Sequence, residues 1–430
     1  MSILKAVRGT RDLLPPETEL WNQVESTARR VFARYNFGEI RTPVFEDTQL
    51  FARGVGEETD IVSKEMYTWQ DRARAQSEKA QSLTLRPENT AGVVRAYIEH
   101  KLGETGLLQK LYYIGPQFRR ERPQKGRYRQ FYQIGAEMIG PPSAGSESPL
   151  RDAEVLEMLA SFLDELGITG WKLLINSVGS STDRPRYVAA LKEALKDVAP
   201  RMCVDCQRRA ETNPLRVLDC KVPEDQPIIE TLPRIADYLD EDSKAHFAAV
   251  RAALDECAVA YEVTPRLVRG LDYYTRTTFE FQHGGLGAQN ALLGGGRYDG
   301  LSEMLGGPKA PGIGFAIGLD RLVMTLQAQA GEKAESKADA YVAPLGEGSN
   351  AAALALAREL RRDGLRIDLG DGSFRLKKSF ESADKVARNI ILLGEDERAS
   401  GILTVKHFAS GEQVKVPRAE LANVLRRQAR

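Results

Sequence analysis

Apolar side chains recur three and four residues apart from Glu17 to Tyr35, where Trp21, Val24, Ala28, Val31, Phe32 and Tyr35 make one stripe. That spacing predicts an amphipathic helix of about five turns, opened by Pro15 and Pro16 and closed by Asn36-Phe37-Gly38. The next residues, Glu39 to Phe45, are expected to form a strand, with Pro43 confining it to an edge or bulge. From Leu111 to Ile139 the period changes to two, broken by the polar, basic run Pro123 to Tyr128, and a long antiparallel hairpin is expected. A helix over Asp152 to Leu166 and a strand around Lys172 to Val178 follow.

Residues from about 183 to 260 are helical and polar in pattern, with no periodic strand, which predicts a helical insertion. Strands resume at Phe279–Phe281, Leu293–Arg297 and Gly312–Gly318, the last feeding a helix from Leu319. Beyond an Ala/Glu/Lys-rich linker, strands Ala340–Ala343, Leu365–Leu369 and Ile390–Leu393 alternate with helices over Ala351–Arg362 and Lys377–Ala387. A small α/β domain with partly parallel strands is expected there. The predicted organisation is a core of residues 1–178 and 261–327, an insertion at 179–260, a linker at 328–337 and a terminal domain at 338–430.

The 430 residues suffice for two to three domains, so disulfide or metal staples are not required for a core. No window approaches the ~20 apolar residues that span a bilayer, and Met1 to Arg8 has neither signal-peptide nor transit character. The cytoplasm is the expected location, with no membrane partner. Basic and acidic residues balance at 60 each, so the whole chain does not advertise a polyanion partner, although residues 336–430 carry a modest +4. Four cysteines argue against a disulfide framework. Cys203-x2-Cys206 with Cys220 makes three quarters of a zinc site. A fourth ligand is missing from the pattern, with Cys257 and His246 the remaining candidates, and ordinary thiols are the favoured reading. No two of the four histidines are close in sequence, so no catalytic zinc centre is expected.

The hairpin carries the clearest chemistry, because side chains alternate across a strand. Gln117, Arg119 and Glu121 share one face of its first strand, and Phe131, Gln133 and Glu137 one face of its second. Gly135 between the latter suggests a concave floor for a planar ligand, against the plainer reading of a solvated sheet face. The turn from Glu121 to Arg129 packs four basic residues around Tyr128, which suits phosphate contact and base stacking, or is simply a mobile loop. Arg321 lies in the first turn of a helix after a glycine-rich strand, where anions are favoured. Arg269-Gly-Leu-Asp-Tyr273-Tyr274 places a guanidinium and two phenols within six residues.

In their order along the chain these motifs resemble the histidyl-tRNA synthetase family, class II aminoacyl-tRNA synthetases. Val7-Arg8-Gly9-Thr10-Arg11-Asp12 and the unit ending Arg41-Thr42-Pro43 are similar to motif 1. Thr84 to Glu88 and Phe118 through Glu137 resemble the following segment and motif 2, Leu267 to Tyr274 the histidine-specific segment, and Gly312 to Arg321 motif 3. The resemblance implies an α+β catalytic domain on an antiparallel class II sheet, a helical insertion and a C-terminal α/β anticodon-binding domain. It implies a homodimer that uses ATP and Mg²⁺ to join L-histidine to tRNA-His. By the same resemblance, Arg119 and Arg269 are the catalytic groups, and Arg119, Glu121, Arg127, Phe131 and Arg321 hold ATP. Glu88, Thr90, Gln133, Glu137, Arg269, Tyr273 and Tyr274 hold histidine, and Arg122 and Gln124 meet the tRNA acceptor end. Asn89 and Asp320 depart from the family's common Gly and Glu. Rival readings are a regulatory paralogue that binds histidine without charging tRNA, which typically lacks the tail domain and the intact Arg-Gly-Leu-Asp-Tyr-Tyr run, and an RNA-binding module without catalysis.

Overall fold

The stripe from Trp21 to Phe32 becomes α1 (Glu17–Arg34) in the computed structural model, and Trp21, Val24, Ala28, Val31 and Phe32 are all buried. Residues 3–56, 59–71, 80–124, 126–268, 273–286, 290–330 and 337–428 are described. They form two compact units, Met1–Glu332 and Lys333–Arg430.

The strand expected from Glu39 to Phe45 is split. β1 (Gly38–Glu39) runs parallel to β5 (Gln109–Phe118), and the chain then leaves for a separate three-stranded sheet as β2 (Phe45–Asp47). Arg86 holds the break open: its Nη1 donates to Thr42 O at 3.0 Å and Thr42 Oγ1 at 2.9 Å. After α2 (Thr48–Val55), β3 (Tyr67–Gln70) and β4 (Ser82–Leu85) complete that small sheet. α3 (Thr90–Glu99) follows, then the hairpin β5 (Gln109–Phe118) and β6 (Gln130–Ile139), paired from Gln109↔Ile139 to Phe118↔Gln130. α4 (Pro149–Glu165) and β7 (Trp171–Ser177) agree with the expected helix and strand.

The insertion contains α5 (Asp183–Val198), α6 (Val204–Thr212), α7 (Gln226–Ile229) and short 3-10 turns around its own core of Tyr187, Leu191, Leu195, Val217, Ile229 and Ile235. α8 (Glu241–Glu256), which the sequence pattern groups with the insertion, packs instead on α4 and sends Val250 and Leu254 into the main core. The chain closes the unit through β8 (Glu262–Val263), β9 (Thr275–His283), β10 (Ala291–Arg297), α9 (Leu301–Met304), β11 (Gly312–Gly318) and α10 (Leu319–Ala330).

Eight strands form one mostly antiparallel sheet in the order β1-β5-β6-β11-β10-β9-β7-β8. Period-two alternation decides what each face does. Ile134, Ala136 and Met138 of β6 and Ile313, Phe315 and Ile317 of β11 enter the core with α1, α4 and α10. Each of these side chains except that of Ala136 contributes about 1.5–3 kcal/mol on leaving water. The intervening residues are left on the opposite face.

Beneath that core lies a charged cluster. Arg297 and Asp152 are both 0% exposed and ion-paired, and Asp152 also meets His246 Nε2 at 2.8 Å. Burial pushes the Asp152 carboxyl up, but Arg297 and His246 outweigh it and hold the group below its usual range. Asp152→Ala would leave the buried Arg297 guanidinium with Asp299 but without its fully buried partner, so the variant is expected to lose about 1.5–3 kcal/mol. Urea unfolding monitored by the tryptophans measures this, and an unshifted midpoint would contradict it.

In the second unit, β12 (Ala340–Pro344), α11 (Asn350–Arg362), β13 (Ile367–Leu369), α12 (Leu376–Val386), β14 (Asn389–Leu393), α13 (Glu395–Ser400), β15 (Ile402–His407), β16 (Gln413–Pro417) and α14 (Leu421–Gln428) build a five-stranded sheet. β12 pairs parallel with β13 and β14, and β15 and β16 add antiparallel, so the strands are partly parallel as expected.

Candidate active site

The face of the large sheet turned away from the core floors a cavity of about 420 Å³. Glu88, Thr90, Arg119, Glu121, Arg127, Phe131, Gln133, Tyr273, Tyr274 and Arg321, singled out from the sequence, all line it. Arg269 lies outside the described residues. Arg122 and Gln124 are exposed and do not line the cavity. Gln124 is held by paired backbone hydrogen bonds with Arg127, its N–H to Arg127 O at 3.1 Å and Arg127 N–H to Gln124 O at 2.8 Å.

One end is aromatic and acidic. Glu88 is buried and caps α3, accepting from Thr90 N at 2.8 Å and Ala91 N at 3.0 Å. Burial pushes its carboxyl up, partly countered by those two N–H groups. Thr90 Oγ1 donates to Glu137 Oε1 at 2.7 Å. Glu137 is fully buried and sits one layer beneath the cavity floor, among Thr90, Tyr298 and Gly314, instead of on its wall. Burial pushes its carboxyl up to about 8, against the pull of Thr90 and Tyr298. Its Oε2 has no hydrogen-bond partner among the described residues, and neither has Gln133 Oε1. Buried polar atoms are rarely left unpaired, so these two acceptors on one face of β6, with the hydroxyls of Tyr113 and Tyr298 that line the cavity and are likewise unpartnered among the described residues, are the unspent capacity of the site.

Gly314 stands opposite Glu137 in the sheet, and a Cβ there would lie 1.7 Å from Glu137 Oε2. The missing side chain is what admits the carboxylate. Gly135 serves a different ring from the planar ligand that its gap suggests: Tyr113, its partner on β5, fills the space, with its Cζ 2.3 Å from where a Cβ would be. Tyr273 lies 4.8 Å from Tyr274, the rings tilted by 60°, and 6.0 Å edge-on to Tyr298. Burial raises Tyr113, Tyr273 and Tyr298 well above the ordinary phenol range, so all three remain neutral.

The other end is cationic. Arg119 donates from Nε to Pro87 O at 2.9 Å and lies 5.2 Å over the Phe131 ring. Arg127 meets Glu121 at 3.3 Å, and Arg321, in the first turn of α10, donates to Ala291 O at 2.9 Å. Arg11 lies 4.9 Å over Tyr128 and bonds Asp320 at 2.9 Å, so that ring already stacks on the protein's own cation. Glu65 lines the same end, and burial together with Glu121 and Asp60 raises its carboxyl despite Arg119.

Tyr113, Tyr298 and Glu65 were not expected, nor were Arg216 and Asp219, which the insertion contributes to the cavity wall. Tyr298 directly follows the glycine-rich strand and Tyr113 pairs with Gly135, signals that pairing register would have exposed. Nothing in the polar insertion sequence marks Arg216.

The family model "Histidyl-tRNA synthetase" matches residues 9–322 and the model "Anticodon binding domain" residues 339–428. A histidine–tRNA ligase of Koribacter versatilis is 72% identical over 426 residues, covering 99% of this chain and 96% of the relative. One from Solibacter usitatus is 59% identical, covering 98% of each. The crystal structure of apo S. aureus histidyl-tRNA synthetase superposes with a TM-score of 0.79 at 38% identity, covering 98% of this chain and 100% of that one.

Proposed function

We propose a role for each residue of this cavity from one premise: the chain belongs to the histidyl-tRNA synthetase family and is a histidine–tRNA ligase. Two transfers then occur at one site. The histidine carboxylate attacks the α-phosphorus of ATP and pyrophosphate leaves. A hydroxyl of the terminal ribose of tRNA-His next attacks the carbonyl carbon of histidyl-adenylate, and AMP leaves. The substrate brings its own nucleophile, so the protein's work is positioning and charge neutralisation.

The observation that carries the reading is the pair of unpartnered acceptors, Gln133 Oε1 and Glu137 Oε2. Histidine offers two donors to match them, an α-ammonium and a ring N–H. In this assignment Gln133, Glu88 and Thr90 take the ammonium, and Glu137 and the Tyr274 hydroxyl take the imidazole nitrogens. Tyr273 walls the ring, and Arg269 takes the carboxylate. A side chain without the ring N–H leaves buried groups unpaired, and such sites discriminate by roughly 10⁴ without editing.

At the cationic end Arg119 grips the α-phosphate, adenine stacks on Phe131 with Arg321 on its other face, and Glu121 and Arg127 hold the nucleotide. Mg²⁺ suits the hard oxygens of Glu65 and Glu121 there, because that ion is typically held by one or two carboxylates plus substrate phosphates. When bound it neutralises phosphate charge. Arg122 and Gln124, exposed in the hairpin loop, are assigned to the acceptor end, and residues 338–430 to the anticodon. A homodimer accords with apolar side chains left in water at Leu14, Phe45 and Trp69.

Pyrophosphate exchange with each of the twenty amino acids, followed by charging of tRNA-His, tests the proposal. Exchange is expected with histidine alone. Exchange with none would indicate a histidine-sensing paralogue, and exchange with another amino acid would overturn the ring assignment.

A further inference from the structure

Three cysteines and an aspartate in the helical insertion converge far more closely than their sequence spacing requires. Cys203 is the N-cap of α6, Cys206 lies in its first turn, Cys220 ends the 3-10 turn Pro214–Asp219, and Asp225 immediately precedes α7. Their sulfur and carboxylate ligand atoms all lie within 4.8 Å of one another. The fourth group is thus Asp225 and neither of the candidates taken from the sequence: His246 is engaged by Asp152 and Arg276, and Cys257 is exposed.

We propose that Cys203, Cys206, Cys220 and Asp225 bind one zinc ion that staples the insertion and fixes its wall of the substrate cavity. Tetrahedral zinc with sulfur at about 2.3 Å and oxygen at about 2.1 Å requires S···S separations of about 3.8 Å and S···O separations of about 3.6 Å. Cys203 Sγ and Cys220 Sγ are 3.9 Å apart, and Cys220 Sγ and Asp225 Oδ2 are 3.3 Å apart. A disulfide needs about 2.05 Å and would leave the third thiol and the carboxylate together with no cation. Soft thiolates select zinc over magnesium or calcium. On binding, three thiol protons pass to solvent, and Asp225 supplies its carboxylate as it stands.

The surrounding donors fit ligation. Val222 N–H points at Cys220 Sγ at 3.4 Å, and Cys203 N–H donates to the Asp225 carboxylate at 3.1 Å. Such bonds orient metal ligands. Asp225, Cys206 and Cys220 are buried. The Pro214–Asp219 turn that ends at Cys220 carries Arg216 and Asp219 to the cavity wall, and Arg209, at the far end of α6, meets Asp60 of that wall at 3.6 Å. Four ligands drawn from three short elements therefore hold one side of the active site.

The test uses the full-length chain. Protein purified from zinc-supplemented growth is expected to contain one zinc per chain by elemental analysis. After chelation, one equivalent of Co²⁺ should give the intense visible bands of a tetrahedral site with thiolate charge transfer, and zinc should bleach them. Asp225→Asn should weaken Co²⁺ binding by about 10-fold or more, and the Cys203→Ser/Cys206→Ser/Cys220→Ser triple variant should abolish the thiolate bands. An octahedral or absent Co²⁺ spectrum in the unsubstituted protein, or thiolate bands that persist in the triple variant, would overturn the proposal. The unsubstituted spectrum stands whether or not the variants fold.

Discussion

Replacing Arg119 by alanine is expected to cut histidine-dependent pyrophosphate exchange by about 10²–10³-fold, the usual cost of removing one preorganised donor from a charged transition state. Histidine affinity should change only a few-fold, because Arg119 touches Pro87 O and the Phe131 ring and not the buried acceptors. Its fork is aimed by strand β5 and the Pro87 carbonyl before any ligand arrives, so no ordering cost falls on the reactive complex. Arg119→Lys keeps the charge but not the planar pair of donors, and should recover only part of the rate. Single-turnover adenylate formation with equilibrium histidine binding separates the two effects. Equal losses in both would mean that the residue supports the pocket's structure instead of the phosphoryl transfer.

Glu137→Ala should raise the KM for histidine by about 10²–10³-fold while the KM for ATP moves only a few-fold, since the deleted carboxylate is the acceptor assigned to the ring N–H. Gly314→Ala should reproduce that loss from a neighbouring strand, because the added methyl would stand 1.7 Å from Glu137 Oε2 and must displace it. A Gly314→Ala enzyme with ordinary histidine kinetics would show that Oε2 is not the recognition atom. The same carboxylate carries a pH signature. Its folded pKa is about 8 against 4.5 for an ordinary glutamate. Between those values the unfolded chain has released a proton that the folded protein keeps, so stability falls as pH rises, by about 1.4 kcal/mol per unit, and levels off above pH 8. Glu137→Gln removes this contribution. The stability of the unsubstituted enzyme relative to Glu137→Gln should therefore decline from about pH 5 to about pH 8 in the absence of ligand. Parallel profiles would show that Glu137 titrates normally.

Much of the site was legible because strands present alternate residues to one face. Arg119, Phe131, Gln133 and Glu137 could be put on one side of a hairpin from spacing alone, and Arg321 at a helix start from the glycine-rich strand before it. The depth of Glu137 was not legible: its position in the alternation is the same as Gln133's, and only the packing of Thr90, Tyr298 and Gly314 around it buries it fully. The gap at Gly135 had the right size for a ring, but cross-strand register assigns it to Tyr113. Pro43 correctly marked a break, whereas the continuous strand through it did not form, because Arg86 draws the Thr42 and Pro43 carbonyls out of any ladder.

What the sequence determined by itself was local and periodic: where helices and strands run, which faces are apolar, which motifs carry charge. These follow from interactions between residues a few positions apart, for which spacing is a sufficient coordinate. Everything set by contacts distant in the chain was decided by tertiary structure. Asp225 comes to three cysteines, α8 leaves the insertion for the main core, and Arg216 reaches the cavity. Such pairings depend on how whole elements pack, and the pattern within any one of them carries no record of its eventual neighbour.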